Sequence, residues 1–455
     1  MVEQTNLYAT QFVAAAQLKR RSRARKWEPV TTAEMKTFVG ILILMGLVRL
    51  PTAAAYWSKG DLYGVQLIKA SMARDRFLII LKFWHFADNA AAAPGDRLCK
   101  LRPLLELLNL NFSSVVTAGR DLVIDESMVP WRGRLAFRQY IPSKSHKYGV
   151  KLFKLCLVNG FTHRLEIYAG RADRDAGVGL AEAVVKRLTD PLLDAGRVVW
   201  ADNFYSSVPL TEYLVSRKTH YCGTLRPNRK GLPKEVTGKR LKKGEVEGRM
   251  KNGVKIIQWV DKRPVFMIST IPGHGATLVD VGQARRTGEP VRKPLSVVEY
   301  NRSKKGVDIS DQFSSYYSSL RKTLRWYRKV AVELIAGTAL VNAWVVHCEQ
   351  RGTQLPLLEF REAVARQLIG GDDAGPMSPP PPPAGRRLVH SIGKYEGAIR
   401  ASRQRCKKCY EHLRAQGETR DSARAKIRRI NTFCRDCPGC PPMCLDCFNR
   451  VHKRL

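Results

Sequence analysis

The chain has 455 residues, 44% of them hydrophobic, and its 78 Lys and Arg residues exceed its 40 Asp and Glu residues by a formal charge of +38. This length and composition predict a globular protein of about three domains and exclude a largely disordered chain. So large a positive charge repels itself unless a polyanion neutralises it, and it therefore predicts nucleic acid as the partner.

The first 120 residues carry helical signals. Thr31 or Thr32 followed by Glu34 forms a capping signal ahead of an apolar helix, so we interpret residues 1–120 as a helical dimerisation or DNA-binding region. The N-terminal sequence MVEQTNLYATQF has no apolar core of signal-peptide length. The most apolar window, Phe38–Val48, is too short at about eleven residues to span a bilayer. We therefore expect an intracellular protein that acts in the nucleus, without membrane association.

Two short apolar runs end in acidic residues. Leu122–Ile124 is predicted to be a buried strand that ends in Asp125 and Glu126. Arg197–Trp200 is predicted to be a second buried strand, ending in Asp202. Strand and helix signals alternate around them, which predicts a mixed α/β sheet with helices on its faces. Acids at the ends of two neighbouring strands are the arrangement that RNase H-like nucleases use.

A metal site of this kind needs a third carboxylate. The segment KKGVDISDQ contains Asp308 and Asp311, which share one face if a helix starts near Val307. Asp308 is the better candidate and Asp311 a supporting one, and the reverse order stays open. Asp125, Asp202 and Asp308 are the predicted ligands of two Mg²⁺ or Mn²⁺ ions, which prefer oxygen ligands and assist attack on a phosphodiester.

Basic residues interleaved with aromatic ones are the predicted DNA-binding residues, because Lys and Arg neutralise backbone phosphates. They lie after the first predicted strand and in the segment 314–328. They are Arg132, Arg134, Arg138, Lys144, Lys147, Arg321, Lys322 and Arg325.

Seven of the 11 cysteines fall near the C-terminus. They include three Cys-x2-Cys pairs, the spacing at which thiolates bind zinc, and three pairs exceed what one Zn²⁺ ion can use. The predicted ligands are Cys406, Cys409, Cys434, Cys437, Cys440, Cys444, Cys447 and His452. This set is enough for two tetrahedral sites in a cross-brace, with His412 as the substitute if Cys440 does not bind.

The prediction for the whole chain is an α/β fold: an RNase H-like catalytic core with a β-rich insertion, preceded by a helical domain and followed by a small cross-brace zinc domain. The predicted segments are the helical region 1–120, the first part of the core 121–222, the insertion 223–300, the second part of the core 301–369, a Pro- and Gly-rich linker 370–400, and the zinc-binding domain 401–455.

Several blocks of the sequence resemble the signature blocks of the piggyBac transposase family. They are DESMVPWRGRLAFRQYIPSKSHKYGVKLF, ADNFYSS, GTLRPNRKGLP and YNRSKKGVDISDQ, and the earlier WEPVTTAEMKTFVGILILMGLVRLP is similar to the family's N-terminal region. The likeness runs from about Trp27 to the C-terminus. It implies that the catalytic acids are Asp125, Asp202 and Asp308, with a further acid at Asp311.

The resemblance also implies what such a protein does. Members of the family are DDE-type transposases with an RNase H-like domain, and they act as dimers on double-stranded DNA. They excise an element at its terminal repeats through hairpin ends and insert it at TTAA, and a C-terminal cysteine-rich domain binds the transposon ends. In one departure, the family's usual Met-Gly-Gly-Val-Asp block is Lys-Lys-Gly-Val-Asp in this chain, at 304–308. The lost glycine predicts an altered approach to the helix that follows.

Retention of all the acids favours an active DNA transposase. A domesticated derivative that binds DNA or chromatin without cutting it is the alternative hypothesis, which the lost glycine allows. A zinc-dependent ubiquitin ligase, suggested by the cysteine pairs alone, is a more distant third.

Overall fold

The computed structural model describes most of the chain, in two compact units, Met1–Ala374 and Gly375–Leu455. The described residues are 1–142, 144, 146–170, 179–283, 290–370, 392–395, 403–427, 429–435, 437 and 439–452, the last of these without its side chain.

The described residues before the first strand are helical, as predicted. Their helices are α1 (Val2–Ala15), α2 (Thr32–Leu47), α3 (Gln66–Ser71), α4 (Arg74–Phe83) and α5 (Arg102–Val115). Thr31 caps α2, because its side-chain oxygen accepts a hydrogen bond from the backbone N–H of Glu34 at 3.2 Å. Phe38, Phe77 and Trp84 are fully buried where these helices meet the core.

Nine described strands of the first unit form one sheet in the order β2-β3-β1-β5-β6-β9-β8-β7, with β4 paired to β3. They are β1 (Asp121–Pro130), β2 (Gln139–Tyr140), β3 (Tyr148–Leu157), β4 (Thr162–Ile167), β5 (Val198–Ala201), β6 (His220–Thr224), β7 (Val246–Lys251), β8 (Val254–Val260) and β9 (Pro264–Ser269). Strand β1 is antiparallel to β3 but parallel to β5, which is parallel to β6. The sheet is therefore mixed, as the sequence predicts.

Helices cover both faces of the sheet. They are α6 (Leu180–Thr189), α7 (Val208–Ser216), α8 (Lys234–Thr237), α9 (Leu295–Ser303) and α10 (Gly306–Tyr316). Val123 of β1 packs in one cluster with Val307 of α10. The next residue, Ile124, belongs to the other core cluster, together with Val184 of α6 and Leu210 of α7. Alternation along β1 thus presents successive side chains to two different helical layers.

The predicted insertion extends the central sheet. Strand β9 pairs with β6 in the register Cys222↔Ser269, so that β7, β8 and β9 continue the sheet beyond β6. A separate two-stranded sheet is formed by β10 (Leu278–Gln283) and β11 (Pro290–Pro294). Pairing with β9 satisfies the backbone hydrogen-bonding groups that β6 would otherwise leave exposed at a sheet edge.

A long apolar helix follows α10 in the chain. It comprises α11 (Trp326–Val332), a π-helical segment (Glu333–Ala339) and α12 (Leu340–Arg351), and α13 (Leu357–Gly370) follows it. Residues 326–351 are long and apolar enough to cross a membrane, but 56% of the most apolar window is buried inside the protein. Packing of residues such as Leu334 and Val341 in the core accounts for that composition.

The second unit is small and begins within the predicted linker. Its described elements are β12 (Ile392–Lys394), β13 (Gln404–Arg405), α14 (Lys407–Ala415), α15 (Arg420–Lys426), β14 (Arg429–Ile430), β15 (Thr432–Cys434) and α16 (Leu445–His452). Strand β12 lies in the segment that the composition predicts to be a linker, and it pairs with β15. The five prolines that suggested a linker, 379–383, lie outside the described residues.

In the 304–308 block, Lys305 takes the place of the family's glycine, and the backbone there is unstrained. Lys305 precedes α10 with φ −83° and ψ −3°, a conformation that any L residue adopts. The retained Gly306 is the residue that the packing requires. A Cβ atom there would overlap the carbonyl oxygen of Leu157 and lie 3.1 Å from Cγ2 of Val123. The backbone at Lys305 thus shows no strain, and an approach to α10 that differs from the family's stays a prediction.

We expect Gly306→Ala to lower the free energy of unfolding by about 1–3 kcal/mol, because the added methyl group forces α10 away from the backbone of β3. Urea denaturation would measure the loss. Gly119→Ala is the matched control, since a Cβ atom there meets nothing within 4 Å. Equal stabilities of the two variants would contradict this account of the packing.

Candidate active site and zinc cluster

The register of two parallel strands brings the first two predicted acids side by side. Ile124 of β1 pairs with Ala201 of β5, so Asp125 and Asp202 occupy the next positions along these two neighbouring strands. Neighbouring strands lie about 4.8 Å apart. Strand β1 does not end at Asp125, as the sequence suggested, because β3 pairs with it as far as Pro130. What ends at Asp125 is the pairing with β5.

The third predicted acid faces the same cavity. Asp308 lies in the first turn of α10, which packs on β1 and β3. A cavity of about 180 Å³ is lined by Asp125, Asp202 and Asp308, together with Tyr300 and Lys304. The structure thus brings together three acids of which the first and the last, Asp125 and Asp308, are 183 residues apart along the chain.

Burial and mutual repulsion perturb two of these carboxyls. The pKa of Asp125 is raised to about 7, first by burial, then by the charges of Glu126 and Asp202. Burial also raises the pKa of Asp202. A divalent cation would relieve both effects, and carboxylate oxygens suit Mg²⁺ or Mn²⁺, so the donor set fits such an ion. The three aspartates share the cavity without converging as tightly as the cysteine cluster below.

Two charged residues beside the aspartates were not predicted as site residues. Glu126 follows Asp125 on β1 and so points to the opposite face, and its Oε2 lies 3.8 Å from the ammonium of Lys151. Lys151 is 8% exposed, with its Nζ 4.6 and 4.4 Å from the ring centres of Phe153 and Phe204. Burial lowers the pKa of Lys151, and the nearby carboxylates oppose that shift. Strand alternation applied to the Asp125–Glu126 pair would have revealed this second face.

Asp311 holds α10 in place and does not line the cavity. Its Oδ1 accepts a hydrogen bond from Ser127 Oγ at 2.6 Å and lies 2.9 Å from Nζ of the fully buried Lys154. Ser127 also donates to Oδ2, at 2.8 Å. Both carboxylate oxygens are therefore engaged with β1 and β3, although the Asp311 side chain itself is 38% exposed and only Lys154 is buried. These contacts position α10, and the catalytic role predicted for Asp311 from the sequence stays a prediction.

Six of the eight predicted DNA-binding residues are exposed. They are Arg132, Arg134, Arg138, Lys147, Lys322 and Arg325. The other two are engaged within the protein. The ammonium of Lys144 donates to the carbonyl oxygen of Glu126 at 2.9 Å, and the guanidinium of Arg321 donates to that of Leu50 at 2.9 Å.

Four of the predicted zinc ligands form one cluster in the second unit. The ligand atoms of Cys406, Cys409, Cys444 and Cys447 all lie within 4.8 Å of one another, the only such group of metal-ligating side chains among the described residues. The backbone N–H of Cys444 donates to Cys406 Sγ at 3.3 Å, which supports a thiolate. Four thiols at this separation fit a tetrahedral zinc site.

The cluster takes its ligands from the first and third cysteine pairs and none from the second pair. A cross-brace requires this alternation of ligand pairs. Cys434 of that second pair is buried in β15, Cys437 is partly buried, and Cys440 is exposed. The side chain of His452 lies outside the described residues, and His412 is exposed on α14. A second zinc site built from these residues stays a prediction.

Comparisons with known proteins agree with the fold. A family model described as Transposase IS4 matches residues 1–344. The human PiggyBac transposable element-derived protein 3 is 28% identical over 414 residues, covering 87% of this chain and 69% of the relative. The human PiggyBac transposable element-derived protein 2 is 27% identical over 353 residues, covering 74% and 59%.

A solved structure has the same fold. The cryo-EM structure of the piggyBac transposase synaptic complex with hairpin DNA matches with a TM-score of 0.70 at 24% identity, covering 83% of this chain and 79% of that chain. The predicted fold class, a mixed α/β core followed by a small cysteine-rich unit, is thereby confirmed.

We expect the metal-free protein to lose stability as the pH rises from about 4 to about 7. The folded state keeps the proton of Asp125 to about pH 7, whereas the unfolded state releases it near the ordinary value of 3.8. The folded state therefore binds more protons in this window, at a cost on the order of 4 kcal/mol above it. Asp125→Asn should remove this slope, measured by urea denaturation at several pH values.

Mn²⁺ should raise the melting temperature of the wild type at pH 8 but not that of Asp125→Asn, because the ion needs this carboxylate. The exposed Asp61→Asn serves as the control and should behave as the wild type in both measurements. A pH slope and a Mn²⁺ response that survive in Asp125→Asn would refute the assignment of this site.

The zinc prediction is tested by metal content. We expect Cys409→Ser to lose one Zn²⁺ per chain, by plasma mass spectrometry, and to unfold the second unit, because a three-thiolate site holds the ion weakly. Cys434→Ser should remove a second ion if the cross-brace has two sites. Cys99→Ser, in the first unit, should keep the full complement. Unchanged zinc in Cys409→Ser would contradict the cluster.

Proposed function

Because this chain belongs to the piggyBac-type transposase family, we propose that it is a DNA transposase that cleaves and joins phosphodiester bonds with the help of divalent metal ions. The observation that carries the proposal is the cavity shared by Asp125, Asp202 and Asp308. A family of transposases implies a DDE-type nuclease, double-stranded DNA as the partner and a nuclear site of action. The three aspartates are the residues we propose for catalysis.

The proposed chemistry follows from the residues in the cavity. Asp125, Asp202 and Asp308 would hold Mg²⁺ or Mn²⁺, which supplies Lewis acidity and activates the attacking water or 3′-hydroxyl. Asp125 and Asp202 project from neighbouring rigid positions of the sheet, and α10 brings Asp308 to them. Holding the carboxylates on such elements pre-organises the site for in-line attack.

The charge of the protein supports a polyanionic substrate. The exposed members of the predicted DNA-binding set would contact backbone phosphates, a sequence-independent term that scales with the number of cations. We further propose that the substrate is a pair of terminal repeats, excised through hairpin ends and inserted at TTAA by a homodimer. The zinc unit would bind the transposon ends.

One observation favours the alternative, a domesticated protein that binds DNA or chromatin without cutting it. Lys304 lines the cavity of the aspartates, and its Nζ lies 5.1 Å from the ring centre of Tyr300. An ammonium group there competes with a divalent cation for the same carboxylates. Lys305, in contrast, has unstrained backbone angles ahead of α10.

An excision assay separates the two functions. A donor plasmid carrying the terminal repeats that flank the gene should be excised precisely by the wild type, and Asp202→Asn should abolish excision because the metal site loses a carboxylate. Both proteins should bind the repeats equally in a gel-shift assay. Binding by the wild type without any excision would favour the domesticated protein.

Lys304→Met provides a further comparison in the same assay. Removal of the competing ammonium should increase excision, or lower the Mg²⁺ concentration at half-maximal excision, if the wild type is an enzyme. Lys305→Met is the matched control, since Lys305 does not line the cavity.

A further inference from the structure

A second cavity in the first unit lies outside the carboxylate site. Its volume is about 410 Å³, and its walls come from α2, residues 49–53, α4, residues 318–323 and α11. Five of the described lining residues are cationic and none is acidic. The cationic residues are Arg49, Arg321, Lys322, Arg328 and Lys329.

Among the described residues, these cations have no carboxylate partner. No carboxylate of a described residue forms an ion pair with any of the five. Burial alone lowers the pKa of Lys329, and it is the largest influence on that of Arg328, which is also lowered. Concentrated, partly desolvated positive charge of this kind is stabilised by a bound anion.

Two buried polar atoms of the cavity lining also lack partners. Ser319 is 6% exposed and its Oγ makes no hydrogen bond, and Nε of Arg321 is likewise buried without an acceptor. A buried donor without a partner costs about 1–3 kcal/mol. Both groups can donate to phosphate oxygens, so they add directional contacts to the charge.

The lining of the cavity also includes apolar residues. Among them are Leu42, Met45, Phe77, Leu81 and Val332. A ligand that matches both the cationic and the apolar residues has an anionic part and a flat or apolar part, as a nucleotide has. The volume lies within the range of about 300–1,000 Å³ that is typical of small-molecule sites and is sufficient for a single nucleotide.

An exposed leucine lies next to the cavity in sequence. Leu324 is 95% exposed, more than any other large hydrophobic residue in the described part of the chain. It follows Lys322 and Thr323, which line the cavity, and it precedes the exposed Arg325. Proteins insert apolar side chains of this kind, flanked by cations, between stacked base pairs. In this way they hold a displaced nucleotide out of the stack.

We propose that this cavity receives one nucleotide of the bound DNA, displaced from the base stack, and that Leu324 fills the gap that it leaves. This inference rests on the proposed function, because it takes the DNA to be the substrate. A free nucleotide has the same chemistry, phosphate with an apolar base, and the experiment below separates the two sources.

The test uses the full chain and duplexes with a central TTAA in which each adenine is replaced in turn by 2-aminopurine. Unstacking relieves the quenching of this base, so wild-type protein should increase its fluorescence several-fold at one position. Permanganate should oxidise a thymine at the same step. Leu324→Ala should lose most of both signals while anisotropy shows unchanged DNA affinity, and Leu324→Met should keep them.

Two further variants locate the effect. Leu110→Ala removes another exposed leucine, 65% exposed on α5, and should behave as the wild type. Lys329→Met removes a cation from the cavity and should reduce the fluorescence signal. Free dTMP should compete for the cavity and lower that signal in the wild type.

The outcomes are distinct. Failure to bind any DNA would overturn the proposed function and this inference with it. DNA binding with 2-aminopurine quenched at every position, or identical signals from Leu324→Ala and Leu110→Ala, would overturn the inference alone. Saturable binding of dTMP together with fully stacked DNA would identify a free-nucleotide site and would also overturn it.

Discussion

The close approach of α10 to the central sheet is the constraint on which the carboxylate site depends. Gly306 allows the helix to touch the backbone of β3, and the buried Lys154 holds the helix through Asp311. One contact is steric and the other electrostatic, and both fix the helix that carries Asp308. A glycine and a positioning acid therefore matter to this site as much as the residues that face the cavity.

Charge is distributed unevenly between the site and its surroundings. The chain as a whole carries an excess of positive charge, yet Asp125 and Asp202 are half-buried side by side and hold their protons more tightly than ordinary carboxyls. The charge of Lys144 lowers the pKa of Asp125, and those of Arg226 and Lys151 lower the pKa of Asp202, which offsets part of the repulsion. A divalent ion would complete this compensation, whereas the outer cations serve a polyanion.

The two units are stabilised by different means. The first unit has an extensive apolar core on both faces of its sheet. The second unit has short strands and a small buried cluster in which Cys406 and Cys447 themselves take part. The buried apolar cluster described in this unit is small, so metal ligation would supply much of its folding free energy.

The sequence by itself determined the elements that local pattern encodes: the helix capped by Thr31, the mixed succession of strands and helices, the acids at 125, 202 and 308, and the cysteine pairs. Only the tertiary structure decided what non-local contacts control. Strand β1 runs past Asp125 because β3 pairs with it, and the insertion joins the sheet through β6. The guanidinium of Arg321 donates a hydrogen bond to the carbonyl oxygen of Leu50. These outcomes depend on partners far away in the chain, and spacing along the sequence carries no information about which partner a backbone or a charge will meet.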